Sequence, residues 1–470
     1  MTEGQVSAIV LAAGAGTRFG GGKLLATLDG RPILQHVLDT LATAGLRDVV
    51  VVLGRDRDVV ETAIAWRSER RVTNPEPERG LASSLQAGMG TLDPDASAVL
   101  VVLGDQPRLS ADTIRALLAT PDDPDRPVIA PRYAHDRGRN PILLRRAGFR
   151  LIKDAAGDRG MGPMLAEHPE LVTEVTVNGT NPDVDTQEDL AGLVESAWAD
   201  RVRANREQVD RLREIPDGTD FYASVQSIFR ADPTRTDDPI LAGLLRLVRS
   251  GDRWLDVGAG AGRFALPIAR ALDPSGGDVV AIDASPSMLE GLREIAEDHA
   301  IDNIRTTETR WPPPDGSAAA AVTADVVLIA HVGYDIEAIG PFVTALERAS
   351  RRELVAVLME HVPASVADAF WPPVHGEARL TLPALPEFVE LLRARGRAPD
   401  VQRITDERRR FESRESLEGF ARRQLWIDPA GAKEARLQAA LDELAVPDGD
   451  GWTIRGRGPA HIGIVRWAAP

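Results

Sequence analysis

The chain has 470 residues, which is too long for one ordinary hydrophobic core, so two or three domains are expected. Its formal net charge of −16 argues against a broad nucleic-acid-binding surface, and the absence of cysteine excludes disulfides, zinc–thiolate sites and thiol nucleophiles. The sequence has neither the run of about 18 apolar residues that a membrane span needs nor a basic leader segment, so we expect a cytoplasmic protein without membrane or nucleic-acid partners.

The first 195 residues alternate short apolar runs with amphipathic stretches. The apolar runs predict strands over residues 6–11, 49–53 and 99–103, and the amphipathic stretches predict helices over 33–44 and 81–89. Ser110 is suited to cap a further helix. This alternation predicts a doubly wound α/β domain over residues 1–195 with a mostly parallel sheet, whose ligands bind at the carboxyl ends of the strands.

The charge-rich residues 196–216 predict a linker helix, and a second doubly wound α/β domain is predicted over residues 217–470. Its predicted strands are 254–257, 279–282, 324–329 and 354–359. Two further strands, 452–455 and 462–467, are predicted to form a closing antiparallel hairpin. The two domains are not repeats, because the loops that follow their first strands differ in chemistry.

The first of these loops is rich in glycine and carries two cations, Arg18 and Lys23. Glycine permits positive φ and close approach of the backbone to a ligand, so successive N–H groups can cradle phosphates. Arginine grips a phosphate with two hydrogen bonds, whereas lysine acts as a point charge. The loop is not the GxxxxGK[ST] P-loop, because Leu24 follows the lysine.

The segment LAAGAGTRFGGGK resembles the loop of the MobA-like nucleotidyltransferases, and later segments follow in the order of that family. These segments are Asn74–Glu76, Gly80–Leu85, Gly104–Pro107, Gly157–Gly160 and Asp183–Leu190. The resemblance covers about residues 5–195. It implies that a nucleotide contacts Leu11, Ala12, Ala13, Gly14, Gly16, Asn74, Gly80, Ser83 and Ser84.

Within that family the chain resembles the molybdenum cofactor cytidylyltransferases, because its loop has Leu-Ala-Ala-Gly and a later loop has Gly-Asp-Gln-Pro. This implies transfer of CMP from CTP to the phosphate of molybdopterin cofactor, with release of pyrophosphate and a molybdoenzyme as a candidate partner. The branch usually has Gly-His-Pro where this chain has Gly138–Pro141, reading Gly-Arg-Asn-Pro. Sugar phosphates and other small phosphates therefore stay open as acceptors.

Charge dictates the chemistry of such a transfer, since a phosphate would attack another phosphate. Mg²⁺ and the catalytic cations Arg18 and Lys23 can neutralise this repulsion. Asp105, at a strand end, is the natural catalytic metal ligand, and Asp185 is the second, with Asp183 as its rival. The alternative is structural: the loop is a tight turn, and the two aspartates cap a turn and a helix.

The second glycine loop contains Asp256, Gly258, Gly260 and Gly262, and Asp283 ends the next predicted strand. Asp283 can accept hydrogen bonds from ribose hydroxyls, as in NAD sites. However, a dinucleotide loop needs a glycine where this chain has Arg263. The pattern Asp-x-Gly-x-Gly-x-Gly resembles motif I of the class I S-adenosylmethionine (SAM)-dependent methyltransferases over residues 217–470, which implies SAM as methyl donor.

Several other side chains are candidate contacts for a methyl acceptor, although packing or solvent exposure is the more expected role: His331, Tyr334, His361, Trp371 and Arg408–Arg410. The sequence predicts a bifunctional enzyme, a nucleotidyltransferase joined to a methyltransferase. In one alternative, only one domain is catalytic and the other binds or regulates. In another, the chain is a non-catalytic factor for cofactor assembly.

Overall fold

The computed structural model describes residues 5–134, 138–154, 161–215, 230–406 and 410–470. The chain divides into two compact units, Met1–Leu193 and Val194–Pro470. Each unit contains a seven-stranded, mostly parallel sheet with flanking helices, so the predicted fold class is confirmed. Within the described ranges, no helix combines the length and apolar character needed to cross a bilayer.

The sheet of the first unit has the strand order β5-β4-β1-β6-β8-β7-β9. Every neighbouring pair is parallel except the two that involve β8. Its strands are β1 (Val6–Ala12), β4 (Asp48–Leu53), β5 (Arg70–Thr73), β6 (Ala98–Leu103), β7 (Val128–Tyr133), β8 (Ile142–Arg145) and β9 (Val172–Val177), and a short separate ladder pairs β2 (Thr27–Leu28) with β3 (Arg31–Pro32).

The central strand β1 is apolar throughout because both of its faces are covered. Ala8, Val10 and Ala12 point into one hydrophobic cluster, whereas Ile9 and Leu11 point into another. Such alternation over a continuous apolar run is typical of a parallel strand between two helical layers. The core therefore holds the end of β1, and the glycine loop that follows it, at a fixed place on the carboxyl edge of the sheet.

Helices lie between the strands of this unit, and Ser110 caps one of them as predicted, accepting a hydrogen bond from the backbone N–H of Thr113. The helices are α1 (Ile33–Thr43), α2 (Arg57–Ala63), α3 (Leu81–Met89), α4 (Ala111–Leu118), α5 (Gly162–Glu167) and α6 (Gln187–Leu212). Single 3₁₀ turns occur at Lys23–Leu25, Pro77–Arg79, Arg146–Asp154 and Pro169–Leu171.

The sheet of the second unit has the order β12-β11-β10-β13-β14-β18-β15, in which only β18 runs antiparallel to its neighbours. Its strands are β10 (Arg253–Val257), β11 (Asp278–Asp283), β12 (Ile304–Glu308), β13 (Ala324–Ala330), β14 (Ser350–Met359), β15 (Asp400–Asp406) and β18 (Ala460–Ala468). A separate two-stranded ladder pairs β16 (Ala445–Asp448) with β17 (Gly451–Ile454).

The predicted closing hairpin is wrong. Residues 451–454 pair with residues 445–448 across a tight turn that contains Gly449 at φ +65°. The last strand β18 instead pairs with β14 on one side and β15 on the other. The edge strand beside β18 is therefore β15, which was not predicted from the sequence.

The helices of the second unit form two groups. One group packs against the sheet, where Trp254, Ala281 and Leu328 belong to one hydrophobic cluster with helical residues. The other group has its own hydrophobic cluster around Trp371, Phe420 and Leu441. The helices are α7 (Pro239–Leu245), α8 (Ala265–Leu272), α9 (Pro286–Asp298), α10 (Ile339–Ala349), α11 (Trp371–His375), α12 (Leu385–Ala394), α13 (Arg414–Leu425) and α14 (Glu434–Leu444), with 3₁₀ turns at Asp273–Ser275, Ala319–Ala321 and Pro363–Phe370.

The stretch predicted as a linker helix, residues 196–216, is helical as far as Leu212 and belongs to α6. Within the second unit it makes specific contacts. The indole of Trp198 donates to the carbonyl oxygen of Ile336 at 3.0 Å, and Arg201 pairs with Glu387 at 2.7 Å. These contacts fix this part of α6 to its neighbours in the second unit.

Candidate active sites

The first candidate site begins where β1 ends at Ala12. The loop folds back on itself, because the backbone N–H groups of Phe19 and Gly21 both donate to the carbonyl oxygen of Gly16. Gly16 has φ +57°, and a Cβ there would lie 3.3 Å from Cγ of Lys23. The loop therefore depends on glycine at this position, both for its backbone conformation and for the close passage of the lysine side chain. Leu11, Ala12 and Ala13 are buried beneath it, and Gly14 is exposed.

Lys23 brings the two predicted metal ligands together. Its ammonium Nζ lies 2.5 Å from Oδ2 of Asp105 and 3.2 Å from Oδ1 of Asp185. Arg18 pairs with the second oxygen of Asp185 at 3.0 Å. The lysine side chain is 11% exposed, whereas that of Arg18 is 75% exposed. The structure thus joins, in one charged cluster, four residues that are up to 167 positions apart in sequence.

Burial and the charges of this cluster shift the pKa values of Lys23 and Asp183. Burial lowers the pKa of Lys23, but the carboxylates of Asp105 and Asp185 outweigh burial, so the pKa lies above its usual value and the ammonium is charged at neutral pH. Asp183 lies near the same carboxylates, and burial together with the charge of Asp105 raises its pKa. Three carboxyl groups and two cations therefore compete for this small volume.

The side chain of Asp185 does not cap α6, which was the structural alternative to metal binding. At the start of α6 the hydroxyl of Thr186 accepts from the backbone N–H of Asp189 at 3.1 Å. The carboxylate of Asp189 in turn accepts from the backbone N–H groups of Asp185 and Thr186. This reciprocal pair satisfies the helix terminus, so the side chain of Asp185 remains available to the cations of the cluster.

Asn74 and its serine partners form the wall predicted to meet the nucleotide. The Asn74 amide donates to the hydroxyls of Ser83 and Ser84 at 2.8 and 2.9 Å, and the asparagine is 4% exposed. Gly80, at φ +89°, is the N-cap residue of α3, and both serines lie in the first turn of that helix. The backbone of Asn74 also donates to Leu53 at the end of β4, which ties this wall to the same edge of the sheet.

A buried amide network next to Asp105 was not predicted from the sequence. The Gln106 side chain donates to the carboxylate of Asp183 at 2.6 Å and accepts from the Asn181 amide at 3.0 Å. Asn181 also donates to the carbonyl oxygen of Asn140 at 3.3 Å. Gln106 and Asn181 are each 2% exposed. The signal was present in Gly-Asp-Gln-Pro, since a buried glutamine needs partners, but sequence spacing could not identify them.

The chemistry of the donor set fits a hard divalent cation. Asp105 and Asp185 supply carboxylate oxygens, the ligands that Mg²⁺ prefers, and their oxygens already approach one cation, the ammonium of Lys23. Among the described residues, no group of three or more acidic, histidine or cysteine side chains is arranged to hold a metal. A cation at this pair would therefore take its other ligands from water and from the phosphates of a substrate.

The second candidate site lies at the end of β10. Gly258, Gly260 and Gly262 have φ of +75°, +54° and +83°, values that L side chains rarely adopt. A Cβ at Gly258 would come within 2.4 Å of Cγ2 of Val332, and one at Gly262 within 2.8 Å of Leu266, whereas one at Gly260 would meet nothing within 4 Å. Close packing thus requires the first and third glycines, and backbone conformation alone requires the second.

Two acids flank this loop in different states. The carboxylate of Asp283 accepts from the backbone N–H groups of Gly260 and Ser285, each at 2.8 Å. Asp256 is 3% exposed, and its Oδ1 has no hydrogen-bond partner within the described part of the chain. Burial, aided by the charge of Asp283, raises the pKa of Asp256 to about 7. The carboxylate of Asp283 is therefore oriented by backbone donors, whereas Asp256 titrates near neutral pH.

The side chains proposed as contacts for a methyl acceptor lie in different surroundings. His331 follows β13 at φ +56°, and its Nδ1 lies 3.4 Å from the hydroxyl of Tyr334. Burial lowers the pKa of His331 to about 4, so the ring is neutral at pH 7. Trp371 belongs instead to the separate helical cluster, stacked near His375, and His361 is exposed. Gly157–Gly160 and Arg408–Arg409 lie outside the described residues.

Comparison with known proteins finds a domain family for each of the two units. Residues 8–172 match the family described as the MobA-like NTP transferase domain, and residues 255–347 match a methyltransferase domain. A nicotine blue oxidoreductase of Paenarthrobacter nicotinovorans is 33% identical over 206 residues, which is 40% of this chain and 96% of that protein. The bifunctional protein GlmU of Sorangium cellulosum is also 33% identical, over 195 residues that make up 38% of each chain.

Thus the chain spans little more than a third of that GlmU protein's length. Among solved structures, Rv0371c from Mycobacterium tuberculosis matches with 29% identity and a TM-score of 0.38, over 42% of this chain and all of that one. The two domain matches show a transferase that carries a nucleotidyltransferase domain and a methyltransferase domain.

Proposed function

The chain belongs to the MobA-like NTP transferase family through its first unit, and from that premise we propose that this unit transfers CMP from CTP to a small phosphorylated acceptor, of which the phosphate of molybdopterin cofactor is the first candidate. Pyrophosphate is the second product. The observation that carries the proposal is the cluster of Lys23, Asp105 and Asp185 beside the glycine loop. It combines cations for phosphates with carboxylates for a metal.

The reaction follows from charge. An oxygen of the acceptor phosphate attacks the α-phosphorus of the nucleotide, a new P–O bond forms, and the bond to the β-phosphate oxygen breaks with the electron pair leaving on pyrophosphate. Lys23 and Arg18 offset the repulsion between the two anions. No residue must remove a proton, since the attacking phosphate is already ionised. Asp105 and Asp185 would hold Mg²⁺, which supplies further charge neutralisation.

The nucleotide is proposed from the loop and its wall. Ala13, by resemblance to the cytidylyltransferases, favours cytidine over guanosine, and the wall in which Asn74 donates to Ser83 and Ser84 is proposed to contact the base. The test is pyrophosphate release by the full chain with CTP, GTP, ATP and UTP, each with Mg²⁺ and a panel of phosphorylated acceptors. We expect CTP to be the fastest substrate. Equal rates with all four nucleotides, or turnover of GTP alone, would refute the cytidine assignment.

For the second unit we propose methyl transfer from SAM, with Asp283 accepting hydrogen bonds from the ribose hydroxyls. Both of its oxygens already accept from backbone N–H groups, which orients them. The methyl group would pass from the sulfonium to a nucleophile that is brought into line with it, which requires mainly proximity. Isothermal titration with SAM and with NAD tests this assignment, and tighter binding of NAD would contradict it.

A second candidate for the first unit comes from one relative. The protein named nicotine blue oxidoreductase is matched over 96% of its own length, and that name describes a different class of reaction. The residues favour nucleotidyl transfer, because a hydride transfer would not need Lys23 between two carboxylates. Oxidation of NADH or NADPH in the presence of quinonoid dyes distinguishes the two. Dye reduction without pyrophosphate release would replace the proposed transfer.

A further inference from the structure

Lys23 lies where a metal ion bound to Asp105 and Asp185 would need to lie, in contact with both carboxylates. Its ammonium is 2.5 Å from one and 3.2 Å from the other, and its side chain is 11% exposed. A divalent cation that binds the same two carboxylates must therefore displace the ammonium or share them with it. Either outcome opposes the entry of a free cation, because two like charges would meet in a partly buried volume.

The chain offers few compensating ligands. Mg²⁺ requires near-octahedral coordination and gives up its waters reluctantly. In the described part of the chain no third acidic or histidine side chain completes a cluster with the two aspartates. Asp183, another carboxyl near this pair, already accepts from the amide of Gln106 at 2.6 Å. Two carboxylates that are also paired with a lysine make a weak site for a bare ion.

A nucleoside triphosphate changes the competition between Lys23 and a metal ion for the two carboxylates in two ways. Its phosphate oxygens provide the missing ligands for the metal, and they also give Lys23 an alternative anionic partner. The Lys23 side chain lies against the glycine loop, because its Cγ is 3.3 Å from where a Cβ on Gly16 would stand. Its ammonium is therefore near any phosphate that this loop binds. Displacement of the ammonium from the carboxylates then costs little, because the ion pair is exchanged rather than lost.

We propose that Lys23 makes metal binding conditional on the nucleotide: it excludes a free divalent cation from Asp105 and Asp185 and transfers to the phosphates when the metal enters with them. The inference rests on the proposed nucleotidyl transfer for the identity of the phosphate ligand. Thermodynamic linkage then requires that metal and nucleotide each raise the affinity for the other by the same factor.

The test compares Mn²⁺ binding to the full chain and to Lys23→Met, followed by the electron paramagnetic resonance signal of free Mn²⁺. Methionine keeps the unbranched side chain, one heavy atom shorter, and removes its charge. Without nucleotide, we expect Lys23→Met to bind Mn²⁺ at least about fivefold more tightly than the wild type, the lower end of common coupling factors. With α,β-methylene-CTP, the wild type gains affinity for Mn²⁺ and the variant gains less.

Arg18→Met is the matched control, because Arg18 also pairs with Asp185 but is 75% exposed and does not touch Asp105. It is expected to change Mn²⁺ affinity less than Lys23→Met does. Asp105→Asn added to Lys23→Met must remove the gain. Lys23→Gln serves as a second neutral variant, and circular dichroism reports folding.

The proposal is overturned if both neutral variants fold but bind Mn²⁺ alone no more tightly than the wild type, or if the gain survives Asp105→Asn. Failure of the wild type to turn over any nucleotide would refute the nucleotidyl transfer instead. The comparison of Mn²⁺ binding without nucleotide would still decide whether Lys23 excludes the free ion, so the two failures are distinguishable.

Discussion

The two glycine loops of this chain occupy equivalent places in two similar sheets, yet they are built for opposite charges. The loop after β1 carries Arg18 and Lys23 and faces carboxylates across the edge of its sheet. The loop after β10 is flanked by Asp256 and Asp283, and a backbone N–H of the loop donates to Asp283. A loop of the first kind suits phosphates and a metal, whereas one of the second kind suits hydroxyl and ammonium groups. Glycine content alone therefore predicts a ligand-binding turn, and the flanking charges predict which ligand.

The largest effect is expected at the first loop. Asp105→Asn removes the carboxylate that contacts Lys23, and we expect pyrophosphate release to fall by about 10² or more, as for other groups that stabilise developing charge. Asp112→Asn is the control, because that side chain is 93% exposed on the surface of α4. SAM affinity should be unchanged in both. If Asp105→Asn leaves the rate of pyrophosphate release unchanged, the proposed difference in function between the two loops is wrong.

At the second loop, Asp283→Ala is expected to weaken SAM binding by about 10- to 100-fold, the range for hydrogen bonds to a charged group. Isothermal titration measures it. Asp298→Ala, at the exposed end of α9, should leave the affinity as it is. Were SAM to bind Asp283→Ala as tightly as the wild type, the ribose-binding role would be wrong, although the fold comparison would stand.

Substitution of the closely packed glycines in the second loop is expected to lower stability, an effect smaller than the two losses of function above. Gly258→Ala is expected to destabilise the second unit by about 2–3 kcal/mol, because strain from positive φ adds to a clash with Val332. Gly260→Ala shares the positive φ but meets no neighbouring atom, so it should cost about 1 kcal/mol. Tryptophan fluorescence follows the unfolding, since seven of the eight tryptophans lie beyond residue 193. Equal melting temperatures for the two variants would exclude the clash.

The smallest effect concerns pH. In the unfolded chain Asp256 loses its proton near its ordinary pKa of 3.8, and in the folded unit near 7. Between these values the folded state binds more protons, so this group makes the unit less stable as pH rises from 4 to 7. Asp256→Asn should therefore gain stability relative to the wild type between pH 5 and pH 6.5, by about 2 kcal/mol. The same difference in melting temperature at both pH values would contradict the raised pKa.

The central strands of both sheets and both glycine loops could be predicted from the sequence, because buried parallel strands are short apolar runs with a glycine or an acid at the end. The partners of buried polar groups could not. Gln106 finds Asn181 across 75 residues of chain, and no local pattern records that pairing. The hairpin error has a similar origin. Residues 452–455 and 462–467 are close in sequence, but the turn at Gly449 offers residues 451–454 a nearer partner.

The two backbone hydrogen bonds of Asp283 also affect the rate at which a ligand binds. Because the Asp283 carboxylate accepts from the N–H of Gly260 and from that of Ser285, the loop and the acid hold each other in position. Under the proposed SAM assignment, the nucleoside binds a surface that these bonds order, so binding costs little conformational entropy. Association should accordingly be governed by diffusion and orientation, so that variants of this contact act on the lifetime of the complex rather than on its rate of formation.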